Sequence, residues 1–271
     1  MAAKSGIRDV VHRCPGVAAA MKRVDPTAGE WIRPRLTGPW GSVTGVCPSG
    51  YTAYVRILHS VGGSEWGIHW RDVAAVTGRR VHPLVQWWRL IDADEPVNPT
   101  STMWRNDEPV MGELPLHDAL ALYELLIGVT GTPESVYFGF WNGYSGNTGA
   151  DTWVHAAHAL WPTEQPTHIQ RTPTGTVSVP GRDFEVVSGS LLHAPHIAGY
   201  FDRNDGNPPS PNIMWPADHT WFVASEIDFD STIVGCTDHV AATILDNAQL
   251  EAYPVGPEDS LQYDADTINR R

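Results

Sequence analysis

The chain predicts an α+β fold, a mostly antiparallel or mixed sheet with a few packed helices. Two observations lead there. Runs of strand length, alternating or wholly apolar, are interspersed with a few segments of helical periodicity, and neither follows the regular βαβ spacing of a parallel sheet. The connections are often long and rich in turn-forming residues, with 25 Gly and 22 Pro in 271 residues. There is no internal repeat and no low-complexity tract.

Residues 1–30, small and charged, read as an N-terminal extension to a single globular domain over 31–255, with 256–271 an acidic polar tail. From Trp31 the text turns to Gly, Pro and Trp, the composition of extended segments. The alternation of Tyr51, Ala53, Val55 and Ile57 predicts a strand over 51–59. Trp70, Val73 and Ala74 at helical spacing, with Gly78 as a stop, predict a short helix; residues 81–91 fit helix or strand equally. Leu116, Ala119, Leu120, Tyr123, Leu126 and Ile127 form one stripe behind Pro115, a helix ended by Gly128 or Gly131. "SVYFGFWNGY" (135–144), apolar on both faces, is a central strand. Extended pieces follow at 166–171, 176–179 and 183–192, then a strand over 221–230, a helix over 237–248 capped by Thr237, and a last strand at "LEAYPV".

Charge and composition bound the function. The net charge is −13, and because residues 1–30 hold five Lys/Arg against three Asp/Glu, the remainder sits at −15. Such an acidic body argues against nucleic acid and anionic membranes as partners and favours, if any, a protein with a basic surface. No apolar run approaches the ~18 residues of a membrane span, and the first residues lack a signal-peptide core. Cys14, Cys47 and Cys236 stand far apart without C-x-x-C spacing, so neither a disulfide framework nor a cysteine zinc site is expected, and a reducing cytoplasm is the simplest location. No cofactor or metal is implied.

Candidate chemistry centres on "WFVASEIDFD" (221–230). As one strand it would place Trp221, Val223, Ile227 and Phe229 on a core face. Glu226, Asp228 and Asp230 would then line the other at steps of about 6.6 Å. That spacing overlaps the ~6.5–9.5 Å between the two carboxyls of inverting glycosidases; the competing reading is the wet face of a half-exposed strand. Two H-x-x-H pairs, His155/His158 and His193/His196, lack the Glu and the i,i+4 spacing of zinc proteases. In "FDRNDGN" (201–207) Gly206 is at the fifth place of a calcium-loop pattern that needs it at the sixth, and in "GYSGN" Asn147 replaces the last Gly of a nucleophile elbow around Ser145. "VGCTD" brings amides to a helix start that Asp238 already complements. Twelve tryptophans serve cores and recognition surfaces alike, and Trp141, Tyr144, Trp215 and Trp221 are the aromatic candidates for a binding wall.

At "SGYTAYVRILH", "VHPLVQWW", "FGFWNGYSG", "PNIMWPADHTWFVASEIDFDSTIVG", "LEAYPV" and the closing Asp266, Thr267 and Asn269, the text resembles a family of soluble bacterial proteins of uncharacterised activity. The resemblance spans about 31–269 and implies no catalytic residue; Cys236 stands where such proteins carry a second Gly. The expectation is a non-catalytic recognition or immunity-like module of the cytoplasm. The alternative is a hydrolase, acting on a carbohydrate, with Glu226, Asp228 and Asp230 as acid and base and tryptophans stacking on the sugar.

Overall fold

A computed structural model describes residues 22–62, 67–105, 107–144, 175–194 and 210–270. Within them the strands are β1 Lys22–Arg23, β2 Ala53–Leu58, β3 Val136–Trp141, β4 Gly175–Val179, β5 Arg182–Gly189, β6 Ile213–Pro216, β7 Phe222–Ala224, β8 Ser231–Cys236 and β9 Ala252–Val255. The helices are α1 Val43–Val46, α2 Trp70–Thr77, α3 Trp87–Leu90, α4 Leu116–Val129 and α5 Asp238–Leu245. All strands join one sheet in the order β1-β5-β3-β6-β7-β8-β2-β9, with β4 also pairing β5. Every pairing among the named strands is antiparallel. The fold is α+β, as the interspersed periodicities predict.

Local chemistry explains most boundaries. Pro180 and Gly181 form the two-residue link between β4 and β5, where Val179 pairs Arg182 and Gly181 takes φ +77°. Pro fixes the first turn position, and only Gly enters the left-handed second one without strain. Gly78 ends α2 at φ +69°. Pro115 stands at the N-cap of α4, and the Thr237 hydroxyl accepts from the Val240 amide to cap α5. Leu116, placed by periodicity on the buried stripe of α4, is exposed, and Asp118 is buried instead. The helix ends at Thr130 rather than at a glycine.

Both faces of the sheet are covered. On one, α4 and α5 pack Leu122, Leu126, Val240 and Ile244 against Val55, Phe138, Trp221 and Val234. On the other, Val24, Ile32, Val43 and Leu261 cover Tyr54, Trp215, Phe222 and Ile233. A third cluster joins α2 and α3 to the end of β2 through Leu58, Trp70, Trp87 and Leu90. Two segments expected to lie outside the core contribute to it. Lys22 and Arg23 pair with Ser188 and Val187 of β5, and Val24 is buried behind them. Residues 256–271 are likewise no free tail as far as Arg270: the buried Asp266 carboxylate accepts from His82 Nε2 at 2.9 Å and from the Asn269 amide at 2.9 Å, and Asn269 Nδ2 donates to the Arg80 carbonyl at 2.8 Å.

Arg56, in the middle of β2, is fully buried. Its Nε donates to Ser231 Oγ at 2.8 Å, Nη1 to the carbonyls of Pro83 and Val85 at 3.0 and 2.9 Å, and Nη2 to Asp230 Oδ1 at 3.4 Å. One guanidinium therefore ties β2 to the start of β8 and to the loop before α3. Replacing Arg56 by Met removes these donors and strands the Asp230 carboxylate; the expected loss is about 3 kcal/mol of unfolding free energy, measured by urea denaturation. Arg56→Lys should recover little of it, since an ammonium lacks the planar fork that reaches three segments.

Candidate functional site

The stretch 221–230 is one short strand and a turn that leads into the next strand. β7 ends at Ala224 and β8 begins at Ser231, with the Phe229 amide donating to the Glu226 carbonyl at 2.9 Å across the reversal. The single-strand register is thereby corrected. Trp221 and Val223 face the α4/α5 side, whereas Phe222, Ala224 and Phe229 belong to the opposite cluster. The three carboxylates do not share a pleated face. Arg182, at the start of β5, donates from Nε to Glu226 Oε1 at 3.0 Å and from Nη2 to Glu226 Oε1 and Asp228 Oδ2, both at 2.7 Å. Asp230 lies apart, beneath the turn on Arg56. Burial raises the Asp230 carboxyl above the ordinary range, and the Arg56 charge opposes that rise.

Three buried polar side chains hold this turn from below. Asn212 donates from Nδ2 to the Gly112 carbonyl at 3.0 Å and the Ser225 carbonyl at 3.4 Å, while its Oδ1 accepts from the Trp141 amide at 2.8 Å. The Gly112 amide in turn donates to the Phe229 carbonyl at 2.8 Å. His59, fully buried, contacts the Val110 carbonyl through Nδ1 at 2.6 Å and Thr232 Oγ1 through Nε2 at 2.9 Å. A carbonyl only accepts, so Nδ1 carries the proton and Nε2 accepts from Thr232. Thr232 Oγ1 then accepts from Ser225 Oγ at 2.6 Å. Arg56 on Asp230 completes the set.

Beside the turn opens a shallow apolar cleft with about 30 Å³ of free volume, open to bulk solvent. Its apolar wall is Ile32, Leu36, Phe184, Ile213, Phe222 and Ile227; Trp40, Arg182 and Glu226 also line it. Trp40 is 52% exposed, its ring tilted 38° against Phe229 at a centroid distance of 5.8 Å, and its carbonyl accepts from Gln262 Nε2 at 3.0 Å. Sequence reading did not single out Trp40 or Arg182. The only available signal was "TGPWGS", a tryptophan between turn residues, where burial is hard to arrange.

The other predicted aromatics have different places. Trp215 and Trp221 are fully buried, so neither forms a binding wall. Trp215 stacks on Tyr137 at 5.1 Å and Phe222 at 5.9 Å, and Trp221 Nε1 donates to Thr130 Oγ1 at 2.8 Å. They lie in a sheet covered on both sides, where the largest side chains fill the most volume. Trp141 is half-buried at the end of β3, its ring against Gly143, and Tyr144 closes the following 3-10 turn. His155, His158, His196, Ser145 and the 201–207 segment lie outside the described residues. No cluster of three or more potential metal ligands occurs among the described residues.

A Ser-His-Asp grouping does form elsewhere, where the chain after β2 meets α4. Ser60 Oγ lies 2.5 Å from His117 Nε2 and 2.8 Å from Asp118 Oδ2, and Asp118 Oδ1 is 3.0 Å from the same Nε2. A nucleophile triad sets its carboxylate on the other ring nitrogen and leaves Nε2 to the serine. Here Asp118 also accepts the Ser60 amide at 3.1 Å, and Ser60 and Asp118 are 2% and 1% exposed. The grouping anchors β2 to the first turn of α4. Burial also raises the thiols of Cys47 and Cys236, the latter to about 12, which removes both as thiolate nucleophiles at neutral pH.

Burial pushes the His59 imidazole down to about 4. Its ordinary value near 6.5 applies in the unfolded chain, which therefore takes up the proton first as pH falls. The stability tied to neutral His59 is complete above pH 6.5 and is lost as pH falls through 4. The expected change is roughly 3 kcal/mol across that window. Urea midpoints measured from pH 7 to 4 should fall more steeply for the wild type than for His59→Asn, which cannot titrate there.

No family model, no curated protein and no solved structure matches the chain.

Proposed function

We propose that the chain is a non-catalytic recognition module that binds another protein through the Trp40 cleft and acts in the cytoplasm. The observation that carries this reading is Trp40 itself: a large aromatic ring, 52% exposed and braced on Phe229, at the mouth of an apolar cleft. Tryptophan at the rim of a preformed depression is the residue type most often found at interface hot spots, because it contributes much contact area with few rotatable bonds. The absence of a membrane-crossing helix among the described residues is in keeping with this reading.

The hydrolase reading is weaker on the same geometry. Opposed acid and base catalysis needs two carboxyls flanking a scissile bond, one of them facing a water. Glu226 and Asp228 instead converge on one guanidinium, and Asp230 is held below the turn by Arg56.

Trp40→Ala removes an exposed side chain, so its unfolding free energy should change by only about 0.5 kcal/mol. If the cleft is the binding site, a protein recovered stoichiometrically from native cell extract by the wild type should be lost at least about tenfold with this variant, as expected for a hot-spot residue. Equal recovery of every protein by both forms would sink the proposal.

A further inference from the structure

Resting on that reading, we infer that the occupant of the Trp40 cleft is a basic segment of the partner, with an arginine or lysine side chain laid on the Trp40 ring and its head at the Asp228 carboxylate. The ring and the charge are both fixed in place. Trp40 is braced by Phe229 at 5.8 Å, and it lines the cleft together with Arg182, whose Nη2 donates to the Asp228 carboxylate at 2.7 Å. Asp228 is half exposed, its side chain 52% accessible, and Arg182 touches it through Oδ2 at 2.7 Å. A carboxylate has about four acceptor positions, so one guanidinium hydrogen bond leaves room for a second cation. Arg182 is shared with Glu226, and the three side chains together carry one net negative charge.

The segment bonded to the backbone of the Trp40 turn is acidic as well. The segment 256–264 is laced to the Trp40 turn: the Leu261 amide donates to the Gly41 carbonyl at 2.7 Å, the Val43 amide to the Asp259 carbonyl at 3.0 Å, and Gln262 to Trp40 itself. It carries Glu258, Asp259 and Asp264 and no Lys or Arg, with Glu258 and Asp264 exposed. Arg35, the next base before Trp40, lies over the Trp31 ring at 5.4 Å. A shallow apolar cleft with an exposed indole at its rim and a half-exposed carboxylate on the arginine that lines it fits a long cationic side chain: its methylenes cover the apolar wall, its head gains the ring face, and the carboxylate closes the contact. The net charge of −13 would draw such a partner in and repel an acidic one.

The test is selection of a displayed random peptide library on the full-length protein, with every recovered peptide re-measured against Trp40→Ala and Asp228→Asn by fluorescence anisotropy. Far-UV circular dichroism identifies a variant that has not folded, and Asp228→Asn, which preserves side-chain shape, then carries the comparison. The expected result is a set enriched in Arg or Lys beside apolar residues, weakened at least fivefold by each variant. Trp40-dependent peptides that are neutral or acidic, or that ignore Asp228→Asn, would overturn the basic-segment inference while leaving a protein-binding cleft standing. A set indifferent to both variants would overturn the inference and the binding reading together.

Discussion

The arrangement depends most on one buried guanidinium. Arg56 sits at 0% exposure in the centre of β2, where an uncharged side chain would be expected, and bonds to the carbonyls of Pro83 and Val85, to Ser231 and to Asp230. Removing a charge from water costs several kcal/mol, and only multiple short hydrogen bonds bring the balance near neutral. Such a group adds little net stability but is intolerant of rearrangement, because a slip of any one segment leaves a donor unpaired. Its position in the second strand from one sheet edge joins the loop before α3 to the start of β8, and so to the turn at 226–229.

That turn is where the polar interior meets the surface. Its lower side is fixed by Asn212, by the chain from His59 through Thr232 to Ser225, and by Asp230 on Arg56. Its upper side offers Glu226 and Asp228 to Arg182 and Phe229 to Trp40. Two carboxylates two residues apart on one turn would repel each other, and a guanidinium shared between them offsets that repulsion. Arg182 is therefore as much a structural condition for the turn as a surface charge.

The secondary structure was legible wherever local chemistry decides it. Gly78, Pro115 and Thr237 mark helix ends, and the unbroken apolar run at Val136–Trp141 marks a central strand. The reversal at 226–229 was not legible, because "EIDF" holds no Gly, Pro or Asn, its one turn-forming residue, Asp228, fits the wet side of a strand equally well, and the side chains that hold the turn come from elsewhere: Arg182 is 44 positions from Glu226, and Arg56 is 174 from Asp230. Continued alternation was the reasonable local expectation, and a tertiary set of anchors overrides it. The same holds for 256–271, whose acidic text reads as solvated until Asp266 is seen receiving His82 and Asn269. Two of the three tryptophans expected in a binding wall, Trp215 and Trp221, are core for a related reason: a half-exposed strand has one wet face, but here both faces of the sheet are covered, and these two rings fill the two layers.

The candidate site is thus a property of the completed fold rather than of any one segment. Trp40 reaches it through the loop before α1, Arg182 through the β4–β5 hairpin, and Glu226 and Phe229 through the β7–β8 turn. Each is braced by a contact with at least one of the other segments or with the 257–262 stretch. Side chains already held in their contacts lose little freedom when a partner arrives, and this rigidity lowers the entropic cost of binding more than added contact area would. It also constrains what can bind. Flexible acidic side chains would accept a cation of any shape, whereas carboxylates fixed on a shared arginine beside a braced indole select for charge and apolar length at a set separation. Recognition through this cleft would then owe its discrimination to the buried polar anchors, Arg56 and His59 among them, that hold the turn in place.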